Sequence, residues 1–188
     1  TIELSTEISN QHKQKVTIGT AKVKVIDQEQ LSPKKEKITK RVALVIGGTG
    51  GIGRATSLQL ARDGFDVAVH YHKNKELAGE IRNQIRDLGK KAIVVNADVN
   101  DIDSVKAMIE QTIRKLNNIT AVVNCTTLSV PSIKYKDLEW EIIQEHFSLN
   151  IRGSFNILKC VFPIMEANKY GKIINLGTLA VDKPNSEW

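Results

Sequence analysis

Five glycines fall within eight residues of this 188-residue chain, in Ile46-Gly47-Gly48-Thr49-Gly50-Gly51-Ile52-Gly53. The loop follows an apolar run at residues 41–46 and opens a stretch whose apolar positions, Ile52, Ala55 and Leu58, read as a helix. Glycine lets such a turn tighten and lets backbone N–H groups approach a pyrophosphate at the helix N-terminus. A strand before and a helix after make the loop a strong signal for a dinucleotide. Its register stays open, because Gly48, Gly50 and Gly53 fit the general fingerprint while Gly47, Gly51 and Gly53 fit a wider spacing.

From residue 41 onward strand and helix patterns alternate, which predicts an α/β fold: a Rossmann-type doubly wound parallel sheet covered on both faces. Residues 65–71 read as the second strand. Leu77, Ile81, Ile85 and Leu88 have amphipathic helical spacing, and residues 92–95 read as the third strand. Asn100 or Asp101 caps a helix carrying Ile102, Val105, Ile109, Ile113 and Leu116. Residues 119–124 form strand four, a long helix runs over 138–168, and residues 171–176 form strand five.

Ahead of this domain, residues 1–26 read as a short β-hairpin segment. Ile2, Leu4, Thr6 and Ile8 alternate with polar residues, and residues 10–14 suit a connection. In the second strand the apolar parity changes between Ile18 and Ala21, so a bulge is expected at Gly19. Residues 27–40, with Ser32-Pro33, read as a linker. The chain does not start with Met and both ends fall in patterned segments, so residues 41–188 are expected to be an incomplete domain, truncated at the C-terminus.

The net charge of +6 comes partly from Lys34, Lys35 and Lys37 in a polar segment, a solvated run with no nucleic-acid patch. No apolar run approaches the ~20 residues of a membrane helix. The two cysteines, Cys125 and Cys160, lack metal spacing and form no disulfide framework, so free thiols in a reducing cytoplasm are expected.

Several elements resemble, in order, the short-chain dehydrogenase/reductase family. They are Gly47-x-x-x-Gly51-Ile52-Gly53, Asp98-Val99 after strand three, Asn124 closing strand four, Asn150-Ile151-Arg152-Gly153, and Gly171-Lys172-Ile173-Ile174-Asn175. Among its members the chain resembles 3-oxoacyl reductases. The resemblance implies Thr49 and Ile52 near the phosphates, Asp98 and Val99 beside the adenine, Asn124 beside the ribose and Asn150 supporting the catalytic site. Ile46 replaces a usual threonine, and Asn124-Cys125-Thr126-Thr127 replaces Asn-Asn-Ala-Gly.

The end of strand two reads His70-Tyr71-His72-Lys73, with no acid to accept hydrogen bonds from adenosine ribose hydroxyls. His72 and Lys73 could face a 2′-phosphate instead, which favours NADP over NAD, or Lys73 points into solvent. Asn74 closes that turn. His70 and His72 at period two could hold a metal, but no third ligand is near in sequence, so none is expected.

The resemblance further implies hydride exchange between a nicotinamide and a carbonyl carbon. A tyrosine activated by a lysine moves the proton, and a serine hydroxyl, here Thr178, bonds the substrate oxygen. The Tyr-x-x-x-Lys pair would fall beyond Trp188, so the 188 residues are expected to bind nucleotide without turnover. Residues 7–25 also resemble the last two strands of a MaoC-like hotdog dehydratase. Together these imply a 3-oxoacyl thioester as substrate and a homo-oligomer assembled through the long helix past Phe147 and Phe155. Two alternatives remain: a noncatalytic dinucleotide sensor, and an extended-type nucleotide-sugar epimerase or dehydratase, whose spacing Gly47-x-x-Gly50-x-x-Gly53 also fits.

Overall fold

The computed structural model describes residues 2–9, 15–23, 40–128 and 133–177. Residues 1–38 and 39–188 form two units. In the first, β1 (Ile2–Ser9) pairs antiparallel with β2 (Lys15–Val23). Gly19 pairs with Thr6 inside an unbroken register, so the bulge expected there is absent. The irregularity falls between Ile8 and Ser9, where Ser9 pairs with Lys15 and Val16 is the extra residue. Unbroken pairing sets Ile18 against Glu7 and Ala21 against Leu4, so Ile18 takes an alternate position and no parity switch is needed. The connection at 10–14 and most of the linker at 27–40 lie outside the described residues.

The second unit is built on β3 (Val42–Ile46), all five of whose residues are buried. β4 (Asp66–Tyr71) and β6 (Ala121–Asn124) flank it in parallel, with β5 (Ala92–Asn96) beyond β4 and β7 (Lys172–Asn175) beyond β6. Val42, Leu44 and Ile46 project to one side, against α3 (Ile102–Leu116) and α5 (Ser154–Ala167). Val45, Val67 and Val69 project to the other, against α1 (Gly51–Arg62) and α2 (Lys75–Asp87). Strands buried on both faces carry the continuous apolar runs seen in the sequence.

Helix ends follow local chemistry. The Asn74 side chain accepts from the Leu77 N–H at 3.0 Å and starts α2. Asp101, the second of the two candidates, caps α3 by accepting from the Asp103 N–H. Ile81 and Ile85 are buried as their spacing predicted. α1 differs: it buries Gly53, Ser57 and Ala61, whereas Ile52 is 62% exposed. Small residues let this helix lie close on the sheet, and at Gly53 even a Cβ would meet loop backbone.

The helix expected over 138–168 is continuous from Trp140 to Ala167 but changes its winding in the middle. α4 (Trp140–Phe147) passes into a π-helical stretch (Ser148–Gly153) and then into α5. The change has a packing reason. Gly153 sits against Val99, where a Cβ would fall 2.8 Å from Val99 Cγ2, and Asn156 donates to the Val99 carbonyl at 2.9 Å. A π turn is rare and often marks a functional site.

Candidate functional site

The chain leaves β3 for β4 and β5 on one side, then returns to β6 and β7 on the other. Strand order therefore reverses at the carboxyl end of β3, where open α/β sheets form a binding crevice. The glycine loop lies there. Gly47 turns at φ 69°, a left-handed conformation glycine takes without strain, and its carbonyl accepts from the Gly50 N–H at 3.0 Å.

Four features make the start of α1 a cradle for an anion. The helix has no side-chain cap and no acid in its first turn. Its ladder begins with Arg54 N–H to Gly50 carbonyl at 2.8 Å, so the N–H groups of 51–53 have no partner within the helix. Nothing lies within 4 Å of a Cβ built at Gly51, and Thr49 is half-buried beside it. At Gly53 a Cβ would run into the Gly47 carbonyl. The residues fit a pyrophosphate held by backbone donors and the helix dipole.

His70 braces this loop, a role that the period-two reading of the two histidines did not find. It is 2% exposed. Its Nδ1 accepts from the Gly47 N–H at 3.0 Å, its Nε2 meets the Ala97 carbonyl at 3.1 Å, and its own carbonyl accepts from the Gly48 N–H at 2.8 Å. With both ring nitrogens engaged, no lone pair is left for a metal. Among the described residues no three side chains gather as a metal site.

A cavity of about 620 Å³ opens at His70, which joins it to the loop, although no residue of 46–53 lines it. His72, Lys73, Asp98 and Val99, singled out from the sequence, line it together with His70 and Thr126. Glu141, Gln144, Glu145 and Ser148 of α4 and the π turn line it too, and no sequence signal had marked them. Asp98 is held by donating its N–H to Ser104 Oγ at 3.0 Å while its Oδ1 accepts from the Asn100 N–H at 2.9 Å. A smaller cavity of about 360 Å³ adjoins Lys73, Asn74, Lys75 and Glu76.

Asn124 is 7% exposed at the end of β6 and joins three elements. Its Nδ2 donates to Ser154 Oγ at 3.0 Å and to Asn175 Oδ1 at 3.3 Å. Its Oδ1 accepts from the Thr126 N–H at 3.2 Å and from Thr126 Oγ1 at 2.7 Å. Thr126, one of the departures from the family's motif, thus locks Asn124 in place. Burial pushes the neighbouring Cys125 thiol up, against a smaller opposing effect of Thr56. Asn150 lies exposed in the π turn and is absent from the cavity lining. Thr178 lies outside the described residues.

Strand order, helices on both faces and a glycine loop at the reversal define a doubly wound, Rossmann-like domain. A family model for short chain dehydrogenase matches residues 41–188. The chain belongs to that family. It is 35% identical over 152 residues to 3-oxoacyl-[acyl-carrier-protein] reductase FabG from Staphylococcus aureus, covering 79% of this chain and 60% of that protein. A 3-oxoacyl-[acyl-carrier-protein] reductase from Synechocystis is 34% identical over 145 residues, covering 76% and 58%. NAD+-bound xylitol dehydrogenase superimposes with a TM-score of 0.73 at 27% identity, over 77% of this chain and 55% of that one. The chain thus spans about 60% of the length of the S. aureus reductase.

Proposed function

We propose that this chain is the dinucleotide-binding part of an NADP-dependent oxidoreductase that reduces the carbonyl of a 3-oxoacyl thioester to an alcohol. The uncapped α1 N-terminus behind the glycine loop, joined through His70 to the 620 Å³ cavity, carries the reading. Gly47, Thr49, Gly51, Ile52 and Gly53 hold the pyrophosphate, Asp98 and Val99 border the adenine, and Asn124 stands by the ribose. When bound, the nicotinamide supplies hydride chemistry. Asn150 supports the catalytic site and the Thr178 hydroxyl bonds the substrate oxygen. Similarity to the two 3-oxoacyl reductases supports the substrate class.

Lys73 ends the turn after β4, with Lys75 at the start of α2 and no acid at residues 70–73. This supports NADP: a cation beside the dianionic 2′-phosphate makes a charge-assisted contact. Calorimetric titration should show NADP+ binding about tenfold more tightly than NAD+, and Lys73→Ala should remove most of that difference while NAD+ affinity changes little. Equal affinities in the unaltered chain would refute the cofactor assignment.

The 188 residues bind nucleotide but do not turn it over, because Tyr71, Tyr135 and Tyr170 all precede Thr178. Purified chain mixed with NADPH and an acetoacetyl thioester should leave the NADPH absorbance unchanged; measurable oxidation would overturn this. The whole protein assembles as a homo-oligomer in the cytoplasm, through a face including Phe147 and Phe155, each 59% exposed. No helix of the described residues is long and apolar enough to cross a membrane. Residues 1–26 belong to a preceding dehydratase, joined by 27–40, so that dehydration and reduction act on neighbouring acyl thioesters.

A further inference from the structure

The glycine loop and Ala97, which precedes the Asp98 and Val99 assigned to the adenine, meet on one imidazole. A backbone N–H can only donate, so the Gly47 N–H at 3.0 Å requires a lone pair on His70 Nδ1. The ring proton then sits on Nε2 and donates to the Ala97 carbonyl at 3.1 Å. A doubly protonated ring would present an N–H to the Gly47 N–H, and the brace would open.

The surroundings favour the neutral ring. Burial, the largest influence, holds His70 below its ordinary value of 6.5; His72 adds to this, while the Ala97 hydrogen bond and Asp98 oppose it. Lys73 after β4 and Glu141 and Glu145 of α4 line the same cavity, and Cys125 after β6 approaches Gly47.

We propose that His70 is a positioning residue for dinucleotide binding: its neutral imidazole fixes the first glycine of the loop against the segment that borders the adenine, and protonation releases it. This rests on the reading of the loop as a dinucleotide cradle. Because the closed loop needs the neutral ring, the contribution is complete above pH 6.5 and is lost as pH falls through the lower value of the folded state. Nucleotide affinity therefore weakens in acid by a route separate from the ligand's own titration.

His70→Asn isolates the effect, because the amide oxygen can take the place of Nδ1 as acceptor and does not titrate. NADP+ is titrated into both proteins at pH 7.5 and 5.0, and the ratio of their Kd values at each pH cancels protonation of the 2′-phosphate. The variant should bind more weakly at pH 7.5, because its amide replaces Nδ1 but not the Nε2 bond to Ala97, and its pH profile should lack the His70 step. Relative to the variant, the unaltered protein should lose about three- to tenfold between pH 7.5 and 5.0. Parallel pH profiles overturn the proposal. In the unaltered chain, nitrogen NMR at pH 7.5 should show an unprotonated Nδ1 and a protonated Nε2, whether or not the variant folds; the opposite tautomer also overturns it. If neither protein binds NADP+, the cradle reading fails, and the tautomer still decides the brace.

Discussion

Gly53→Ala is expected to destabilise the Rossmann-like unit by about 3 kcal/mol or more and to abolish measurable dinucleotide binding. A Cβ at this position meets the Gly47 carbonyl, with Gly47 C and Gly48 Cα at 2.9 Å. These are all backbone atoms of the loop, so no rotamer change relieves the clash. Either α1 lifts from the sheet, uncovering Ser57 and Ala61, or Gly47 moves and loses its bond to His70. Gly51→Ala provides the contrast, since a Cβ there meets nothing within 4 Å. Urea unfolding of both variants checks the difference, and equal midpoints would show that close approach at Gly53 does not matter.

Asn124→Leu is expected to cost about 2–3 kcal/mol, because it leaves Ser154 Oγ and the Thr126 N–H and hydroxyl without their buried partner. The side chain also ties β6 to β7 and to the start of α5, so its loss should loosen these elements together. Hydrogen exchange should show lost protection at β7 and the first turn of α5 with little change in α2. Loss confined to residue 124 would contradict the network.

The doubly wound sheet was legible because buried strands and amphipathic helices carry different periods. Ile81 and Ile85 announce their face, and Asp101 is one of two candidates for the cap of α3, whereas Asn74 reads only as closing a turn and its cap of α2 is not foreseen. The loop was legible from glycines in a strand-to-helix setting. What the sequence hid were features set by backbone proximity. Nothing in Ile52, Ala55 and Leu58 says that α1 packs through Gly53, Ser57 and Ala61, because that choice reflects how near the helix must lie to Gly47. The π turn was invisible for the same reason, as it follows from seating Gly153 and Asn156 on Val99. His70 read as half of an incomplete metal pair, since its partners, Gly47 and Ala97, are backbone groups 23 and 27 residues away. Glu141, Gln144 and Glu145 belong to the cavity only because α4 arches over it.

The central claim is that the glycine loop and the adjoining cavity together hold a dinucleotide. Amide NMR of the 188-residue chain during titration with NADP+ tests it most directly. Saturable shifts centred on residues 47–53, 72–73, 98–99 and 124, with the two-stranded unit at 2–23 unmoved, are the predicted result. A folded chain whose loop amides do not move at millimolar NADP+ or NAD+ would contradict it.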